Sequence, residues 1–384
     1  MISHLRGAAK KAKRIALIGL PLLQAERRGY TETLLKYAEE NNWHFICSLE
    51  PLPGMFRFIR LMNCDGAIAR IISPQMKEEA LGMPFPVVNI SSWLEHPGMP
   101  TVRFDNFACG RMCAEYLLGK GFRRFATVHI HCGWLNQARL NGFIESVQGA
   151  ERHNFQLRSD PPSPGDLRRF RKWIRGLRTP IGFFLTDTTS AQPLMDACQA
   201  EGLRIPQDVA VIAGLGIDEH AIHPLKPSLS CVVVDEGLWL LEAARQMDQM
   251  LSGKRCSENL IELPPKRILE KDSTNTIPTD DPLVAKTLEF IRGHAAAREN
   301  IKTIAFGLSI NRRTLDRRFK EAMGITVHEF LMRERGNMAI PLLKAKPRLK
   351  LEEIARRCNF CHARHMKEYL RTRFGIQLDS KKSS

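Results

Sequence analysis

The residues with the most evident chemistry lie near the end of the chain, in Asn311-Arg-Arg-Thr-Leu-Asp-Arg-Arg-Phe319. Asn311 suits an N-cap, because its side-chain oxygen can accept from the free amides of a first helical turn. Leu315 and Phe319 are four residues apart and share one helical face, which turns Arg312, Arg313, Asp316, Arg317 and Lys320 away from it. Guanidinium groups on such a helix can pair with guanine O6 and N7 or with phosphate, and a carboxylate can accept from cytosine N4. A second cluster, Cys358-Asn-Phe-Cys-His362 with His365, has the residue types that hold zinc or attach a haem. Haem attachment needs an exported chain, however, and the two histidines fall on a different helix from Cys358. His129-Ile-His131-Cys132 closes an apolar run and could wall a cleft, although satisfied core or rim histidines are commoner. Gly214-Leu-Gly216 lacks the third glycine and the distant acid of a dinucleotide loop. Cys109 and Cys113, one turn apart, read as core. No nucleophile–base pair emerges, so neither an enzyme nor a cofactor is implied.

The elements around the basic stretch carry the same message. Ile301, Ile304, Ala305 and Leu308 have helical spacing, and only Ser309 and Ile310 separate them from the capped, Arg-rich helix. Two short helices, a tight turn and a cationic second helix read as a helix-turn-helix, with the second helix for the major groove. Some fifty residues on, Leu351, Ile354, Ala355 and Cys358 repeat the first helix, and a second basic helix runs from about His362 to Thr372. Two such units could reach successive major grooves on one side of a duplex.

Charge is placed accordingly. The net charge is +16, and residues 283–384 hold about 23 Lys+Arg against about 10 Asp+Glu, so most of the excess lies in the last quarter. That asymmetry favours a polyanionic partner for the C-terminal part alone. No apolar run approaches the ~18 residues of a membrane span, so the partner is not a membrane. Lys10–Arg14 followed by an apolar run could pass for a signal peptide, but Gln24-Ala-Glu-Arg-Arg28 offers no small-residue cleavage site. A first buried strand is the better reading, and ten unpatterned cysteines fit a reducing cytoplasm.

Upstream, apolar runs at 14–20, 43–48, 66–72, 86–90, 124–130, 181–185 and 209–213 read as strands. Stretches at 30–41, 107–119, 136–147, 166–177 and 189–201 read as helices. Such alternation predicts parallel α/β sheets, with ligands beyond the carboxyl ends of the strands. Lys271–Pro282 is polar and proline-bounded and reads as a linker. Gly336 and Pro341 fall where a helix should join the two helix-turn-helix units, predicting that it is bent or short.

These features resemble two known families. Residues 283–384 are similar to the AraC-type DNA-binding domain, with two helix-turn-helix units joined by a long helix. Residues 14–270 resemble a LacI-type, periplasmic-binding-protein-like sensor. The strings that carry this likeness, in family order, include Asp65-Gly-Ala-Ile-Ala-Arg70, Phe104-Asp-Asn-Phe-Ala-Cys-Gly110, Arg139-Leu-Asn-Gly-Phe143, Thr186-Asp187 and Gly202-Leu-Arg-Ile-Pro-Gln-Asp-Val-Ala-Val-Ile212. The combination resembles that of the xylose-operon-regulator type. The resemblance implies an α/β two-lobed sensor at 14–270, a linker at 271–282, and an all-α domain with two helix-turn-helix units at 283–384.

By resemblance, too, Arg139 and Asp187 contact ligand hydroxyls. Asp218 is the candidate third contact, because Val211-Ile-Ala-Gly-Leu-Gly-Ile-Asp218 departs from the family's usual acid position. Leu22, Leu23 and Gln24 offer a thin polar inventory after the first strand. Alignment to the family places Arg313, Asp316 and Arg317 at base edges, with Arg312, Arg318 and Lys320 toward phosphate or an internal acid. Arg364, His365, Lys367 and Glu368 take the corresponding places in the second unit. Ser309 and Asn359 replace the turn glycines. The expected function is a cytoplasmic, sequence-specific transcription regulator answering to a sugar or sugar-like effector. Its expected partners are double-stranded DNA, a second copy of the chain and RNA polymerase. The competing readings are a sugar-binding module with a non-functional DNA-binding tail and an AraC-type DNA-repair methyltransferase, which would need clustered zinc-binding cysteines.

Overall fold

The computed structural model describes residues 12–374 and 376, apart from 21–27, 49, 131–132, 159–161, 216–224, 255–257, 295–299 and 345–348. The chain divides into two compact units, Met1–Ile277 and Pro278–Ser384.

The first unit has two lobes. The first lobe runs β1 (Lys13–Ile18), α1 (Arg28–Asn41), β2 (Trp43–Ser48), α2 (Met55–Leu61), β3 (Gly66–Ala69), α3 (Pro74–Leu81), β4 (Val87–Asn89) and β5 (Thr101–Phe104). The second lobe follows with α4 (Asn106–Gly119), β6 (Arg124–Ile130), α5 (Gly133–Ser146), β7 (Glu151–Leu157), α6 (Pro164–Arg175), β8 (Ile181–Leu185), α7 (Ala191–Ala200), β9 (Val209–Ala213) and β10 (Ser230–Val233). The chain then returns to the first lobe with α8 (Glu236–Leu251) and β11 (Leu260–Leu263), and crosses once more to end on β12 (Arg267–Leu269).

The two sheets share one strand order. Their orders are β2-β1-β3-β4-β5-β11 and β7-β6-β8-β9-β10-β12. All pairings are parallel except β10 with β12. Helices cover both faces, so the central strands are buried on both sides and read as unbroken apolar runs: Ile15–Ile18, Ile181–Leu185 and Val209–Ala213 are buried throughout. Where the chain crosses between lobes the segments are tied together. The Asp105 amide donates to the Leu263 carbonyl (2.8 Å) and the Lys266 amide to the Val233 carbonyl (2.8 Å).

Helices α4 and α5 pack backbone to backbone. A Cβ on Gly110 would collide with the carbonyl of Arg139, and one on Gly142 with the carbonyl of Phe107. Each glycine is there because no side chain fits.

Two sequence expectations need correction. Part of the expected linker 271–282 belongs to the sensor, because Asp272–Thr274 forms a 3-10 turn in which Ser273 and Thr274 are fully buried. The Ser273 hydroxyl donates to the Val211 carbonyl (2.6 Å), and Thr274 Oγ1 lies 2.8 Å from the Tyr116 hydroxyl. Polar side chains can be buried where their polar atoms find partners of this kind, and composition alone does not reveal it. The second correction concerns the helical unit, made of α9 (Pro282–His294), α10 (Ile301–Gly307), α11 (Arg312–Met323), α12 (Val327–Lys344), α13 (Leu351–Arg357) and α14 (Ala363–Phe374). Of the two outcomes expected for the joining helix α12, bent or short, shortening is not seen: it runs 18 residues through Gly336 and Pro341.

Among the described residues no helix is long and apolar enough to cross a membrane. Gly142→Ala should lower the sensor's unfolding free energy by about 1–3 kcal/mol, because helix backbones must move apart to admit the methyl group. Gly119→Ala, at the end of α4 with nothing within 4 Å of the added carbon, should be neutral or slightly stabilising. Urea titration of both variants checks the contrast.

Candidate effector cleft and nucleic-acid interface

In an open parallel sheet, ligands sit beyond the strand carboxyl ends where the strand order reverses. In the second lobe that point lies between β6 and β8. Helix α5, which follows β6, carries Arg139, and Asp187 follows β8. The Arg139 side chain is 4% exposed. Its Nε donates to Asn106 Oδ1 (2.8 Å), and Nη1 donates to the Thr186 carbonyl (2.8 Å). Asp187 is half-buried. Its Oδ2 accepts from Asn136 Nδ2 (3.1 Å), and Oδ1 accepts from the amide and hydroxyl of Thr189. The structure therefore brings two of the three expected effector contacts to one place. The third, Asp218, lies outside the described residues. Asn136, 3% exposed, belongs to the same constellation. Sequence reasoning passed it over, although it stands three residues before Arg139 and so shares its helical face.

The matching point of the first lobe lies between β1 and β3. Gly19, with φ +75°, follows β1, and Arg70 follows β3 with its amide bonded to the Ile18 carbonyl (3.0 Å). Leu22, Leu23 and Gln24 lie outside the described residues. The lobes meet at a pair of tryptophans, where the Trp134 amide donates to the Trp93 carbonyl (2.9 Å). The Arg103 guanidinium lies 4.1 Å from the Trp134 ring centroid. Arg103 is itself 5% exposed and held by Glu262 (2.9 Å) and the Glu95 carbonyl (3.1 Å). These residues carried no sequence signal, because their partners come from distant segments.

The helical unit contains two turns of one design. Ser309 and Asn359 both have φ of +53°, the left-handed conformation that joins α10 to α11 and α13 to α14. Leu315 and Phe319 on α11, and Met366 and Leu370 on α14, are fully buried. Opposite them Arg313, Arg317 and Lys320 are exposed on α11, and Arg364, Glu368 and Arg371 on α14. Arg371 was missed in the sequence, although its place on α14 matches that of Lys320 on α11. Arg312 pairs with Asp316 (3.5 Å) toward the flank of α11, and Arg317 pairs with Glu321 (3.1 Å). On α14, Lys367 and His365 are half-buried on the flanks, and the His365 ring packs edge-on to Phe360.

The caps are specific. Asn311 accepts from the Arg313 amide (2.8 Å). His362 does the same work for α14, its Nδ1 accepting from the His365 amide (3.0 Å). Cys358 is buried in the core while Cys361 is exposed. Among the described residues no three His, Cys, Asp or Glu side chains stand together as metal ligands. His129 is 9% exposed within β6, while His131 and Cys132 lie outside the described residues.

Arg318 turns inward and grips Asp281 with two hydrogen bonds (2.6 and 2.8 Å). Asp281 also caps α9, accepting from the amides of Leu283 and Val284. Burial pushes the Asp281 carboxyl up, but Arg318 and these amides outweigh it and hold the group below its ordinary value.

The comparisons agree with this geometry. A periplasmic-binding-protein-like domain matches residues 114–274 and a helix-turn-helix domain matches residues 304–379. The xylose operon regulatory protein of Haemophilus influenzae is 24% identical over 322 residues, covering 79% of this chain and 80% of the relative. That of Escherichia coli is 23% identical over 308 residues, covering 77% and 78%. The structure of a xylose-binding transcription activator covers 96% of this chain and 97% of its own, with a TM-score of 0.70 at 21% identity. A LacI-type regulator from Alkaliphilus metalliredigens, solved with D-xylulofuranose, matches 69% of this chain and 100% of its own, with a TM-score of 0.53 at 18% identity.

A two-lobed, periplasmic-binding-protein-like sensor followed by a domain with two helix-turn-helix units defines a DNA-binding transcription regulator. Within that class the chain is similar to the regulatory proteins of the xylose operon. Its relatives are regulators, not enzymes.

Asp281→Ala should destabilise the helical unit by about 0.5–2 kcal/mol through loss of the α9 cap alone. The folded carboxyl is depressed, so its contribution is complete above its unfolded value of about 4 and is lost as pH falls through the folded value. Wild-type melting temperature should accordingly drop more steeply than the variant's on acidification below about pH 4, as calorimetry across that range would show.

Proposed function

We propose that the sensor takes a small polyhydroxylated ligand of the sugar class, pentose-like in view of what the relatives are named for, and that its occupancy sets the affinity of the helical unit for an operator. The placement of Arg139 and Asp187 on either side of the β6/β8 switch point is the observation that carries this reading. A guanidinium supplies donors in a fixed fork and a carboxylate supplies acceptors, which together suit vicinal hydroxyls. Asp218 would add a second acceptor. Ligand held between the lobes would favour one lobe arrangement over the other, with a coupling of about 1–3 kcal/mol, or 5–150-fold in operator affinity.

On the DNA side, Arg313, Asp316 and Arg317 would read base edges, and Arg312 would meet phosphate or its partner Asp316. Arg364, His365, Lys367 and Glu368 would serve the second half-site. Of these, Arg364 and Glu368 are best placed by exposure, while His365 and Lys367 suit the flanking backbone. The protein would act in the cytoplasm as a homodimer and address RNA polymerase from the bound promoter.

A thermal-shift screen of the full chain against pentoses, hexoses, uronates and their phosphates should raise the melting temperature with a pentose-class ligand, because a ligand that binds only the native state must stabilise it. Asp187→Asn should weaken calorimetric binding of D-xylose or the best hit at least tenfold, by roughly 1.4 kcal/mol or more. Unchanged affinity in that variant would remove the cleft assignment. Arg139 is a poorer probe, because truncating it leaves Asn106 and the Thr186 carbonyl without their donor.

Arg313→Ala and Arg317→Ala should each cost about 1–3 kcal/mol on the cognate site and relax its preference there. Equal losses on random DNA would reassign these side chains to phosphate.

A further inference from the structure

The two helix-turn-helix units can be matched residue for residue through their cores. Leu315 and Phe319 on α11 correspond to Met366 and Leu370 on α14, each pair four apart and fully buried. The same offset pairs Arg313 with Arg364 and Lys320 with Arg371, cation for cation. At the centre of this face the match breaks. Arg317 lies two residues from each of its core neighbours and so points directly away from them, and Glu368 occupies that place on α14. Both are exposed. Arg317 has an intrahelical partner in Glu321, whereas the place of Glu321 on α14 is taken by Thr372, whose hydroxyl donates to the carbonyls of Glu368 and Tyr369. Among the described residues Glu368 has no ion-pair partner.

A carboxylate in this position faces a polyanion, and phosphate repels it. Only a donor from the duplex can offset that repulsion. The major-groove edge of cytosine offers the N4 amine, whereas that of guanine offers two acceptors, O6 and N7, which a carboxylate meets unfavourably. The reverse holds for the Arg317 guanidinium.

We infer that the two half-sites are read with opposite polarity at their matching position: Arg317 takes a guanine edge, and Glu368 takes a cytosine edge on the same strand sense while rejecting guanine. This rests on the proposed groove-reading roles of α11 and α14. It makes the target asymmetric even though the two reading units share one design. Glu368 is then a specificity-determining residue that acts as much by exclusion as by attraction.

The test is selection from a randomised duplex library with the full-length chain, comparing wild type, Glu368→Arg and Glu368→Gln. Wild type should enrich a two-part motif with cytosine at one position of the second part. Replacing that cytosine by guanine should weaken wild-type binding roughly 5- to 150-fold. Glu368→Arg should invert the preference to guanine at that position and leave the first part of the motif unchanged, while Glu368→Gln should shift it toward adenine. The side chain is exposed, so melting temperatures equal to wild type will confirm that the variants fold. If Glu368→Arg tightens binding to all sequences alike with the motif unaltered, the acid only repels phosphate and the inference fails. A motif unaltered in both sequence and affinity would show that α14 lies away from the bases, which overturns it equally. If wild type enriches no motif, the groove-reading assignment itself falls, and this inference with it.

Discussion

A guanidinium withdrawn from water is tolerable only where its N–H groups are met, and that requirement organises the sensor around Arg139. Its partners are the Asn106 side chain and the Thr186 carbonyl. Asn106 opens α4, Arg139 lies on α5, and Thr186 directly follows β8, so three segments must converge. Convergence at this range requires α4 and α5 to touch along their backbones, which Gly110 and Gly142 permit. The same convergence leaves Asp187, next to Thr186, bonded to Asn136 on the face of α5 that carries Arg139. Position, partner and orientation of the candidate effector contacts thus follow from satisfying one buried cation.

Among the described residues the lobes are joined by covalent crossings and by weaker contacts that include those of Trp134. One amide–carbonyl bond between Trp134 and Trp93 contributes roughly 0.5–1.5 kcal/mol net. The Arg103 guanidinium over Trp134 adds about 0.5–2 kcal/mol, toward the upper end because the cation is buried. These two contacts are of the same order as the ~1–3 kcal/mol over which one ligand commonly couples two sites. An interlobe contact much stronger than this would lock the sensor against any effector. A much weaker one would leave it without a preferred arrangement to shift.

How far the sequence disclosed this depends on the physical nature of each signal. Strands β1, β8 and β9 were legible because parallel strands covered on both faces must be apolar throughout, and β2 and β6, though interrupted by polar residues, still carried enough apolar ones to be read. Strand β7, Glu-Arg-His-Asn-Phe-Gln-Leu, was not: it lies at the sheet edge, and of its side chains only Phe155 and Leu157 are buried. Strands β11 and β12 are short and half-exposed, and they pair with segments far away in the chain, so nothing local announces them. The turn residues Ser309 and Asn359 could be placed from family pattern, and their left-handed conformation follows from the tightness of the turn. Arg139 and Asp187 were found through resemblance. That Arg139 also stabilises its own lobe could not be read without knowing what Asn106 and Thr186 face.

The expected shortening of α12 shows why a local rule can be outweighed. Pro341 removes the donor for the Asn337 carbonyl, and a proline inside a helix costs roughly 3 kcal/mol. Yet Leu342 and Leu343, just beyond it, pack on the core of the second unit together with Met338, Ile340 and Ala339. Each leucine contributes up to ~1.5–3 kcal/mol when fully buried, and somewhat less when partly buried as here. Ending the helix before Pro341 would forfeit both contacts and expose part of that core. A continuous α12, packed against both α11 and α14, is therefore favoured despite the proline. It also serves the reading of DNA, since two recognition helices can address fixed positions on a duplex only if the element between them holds their spacing constant.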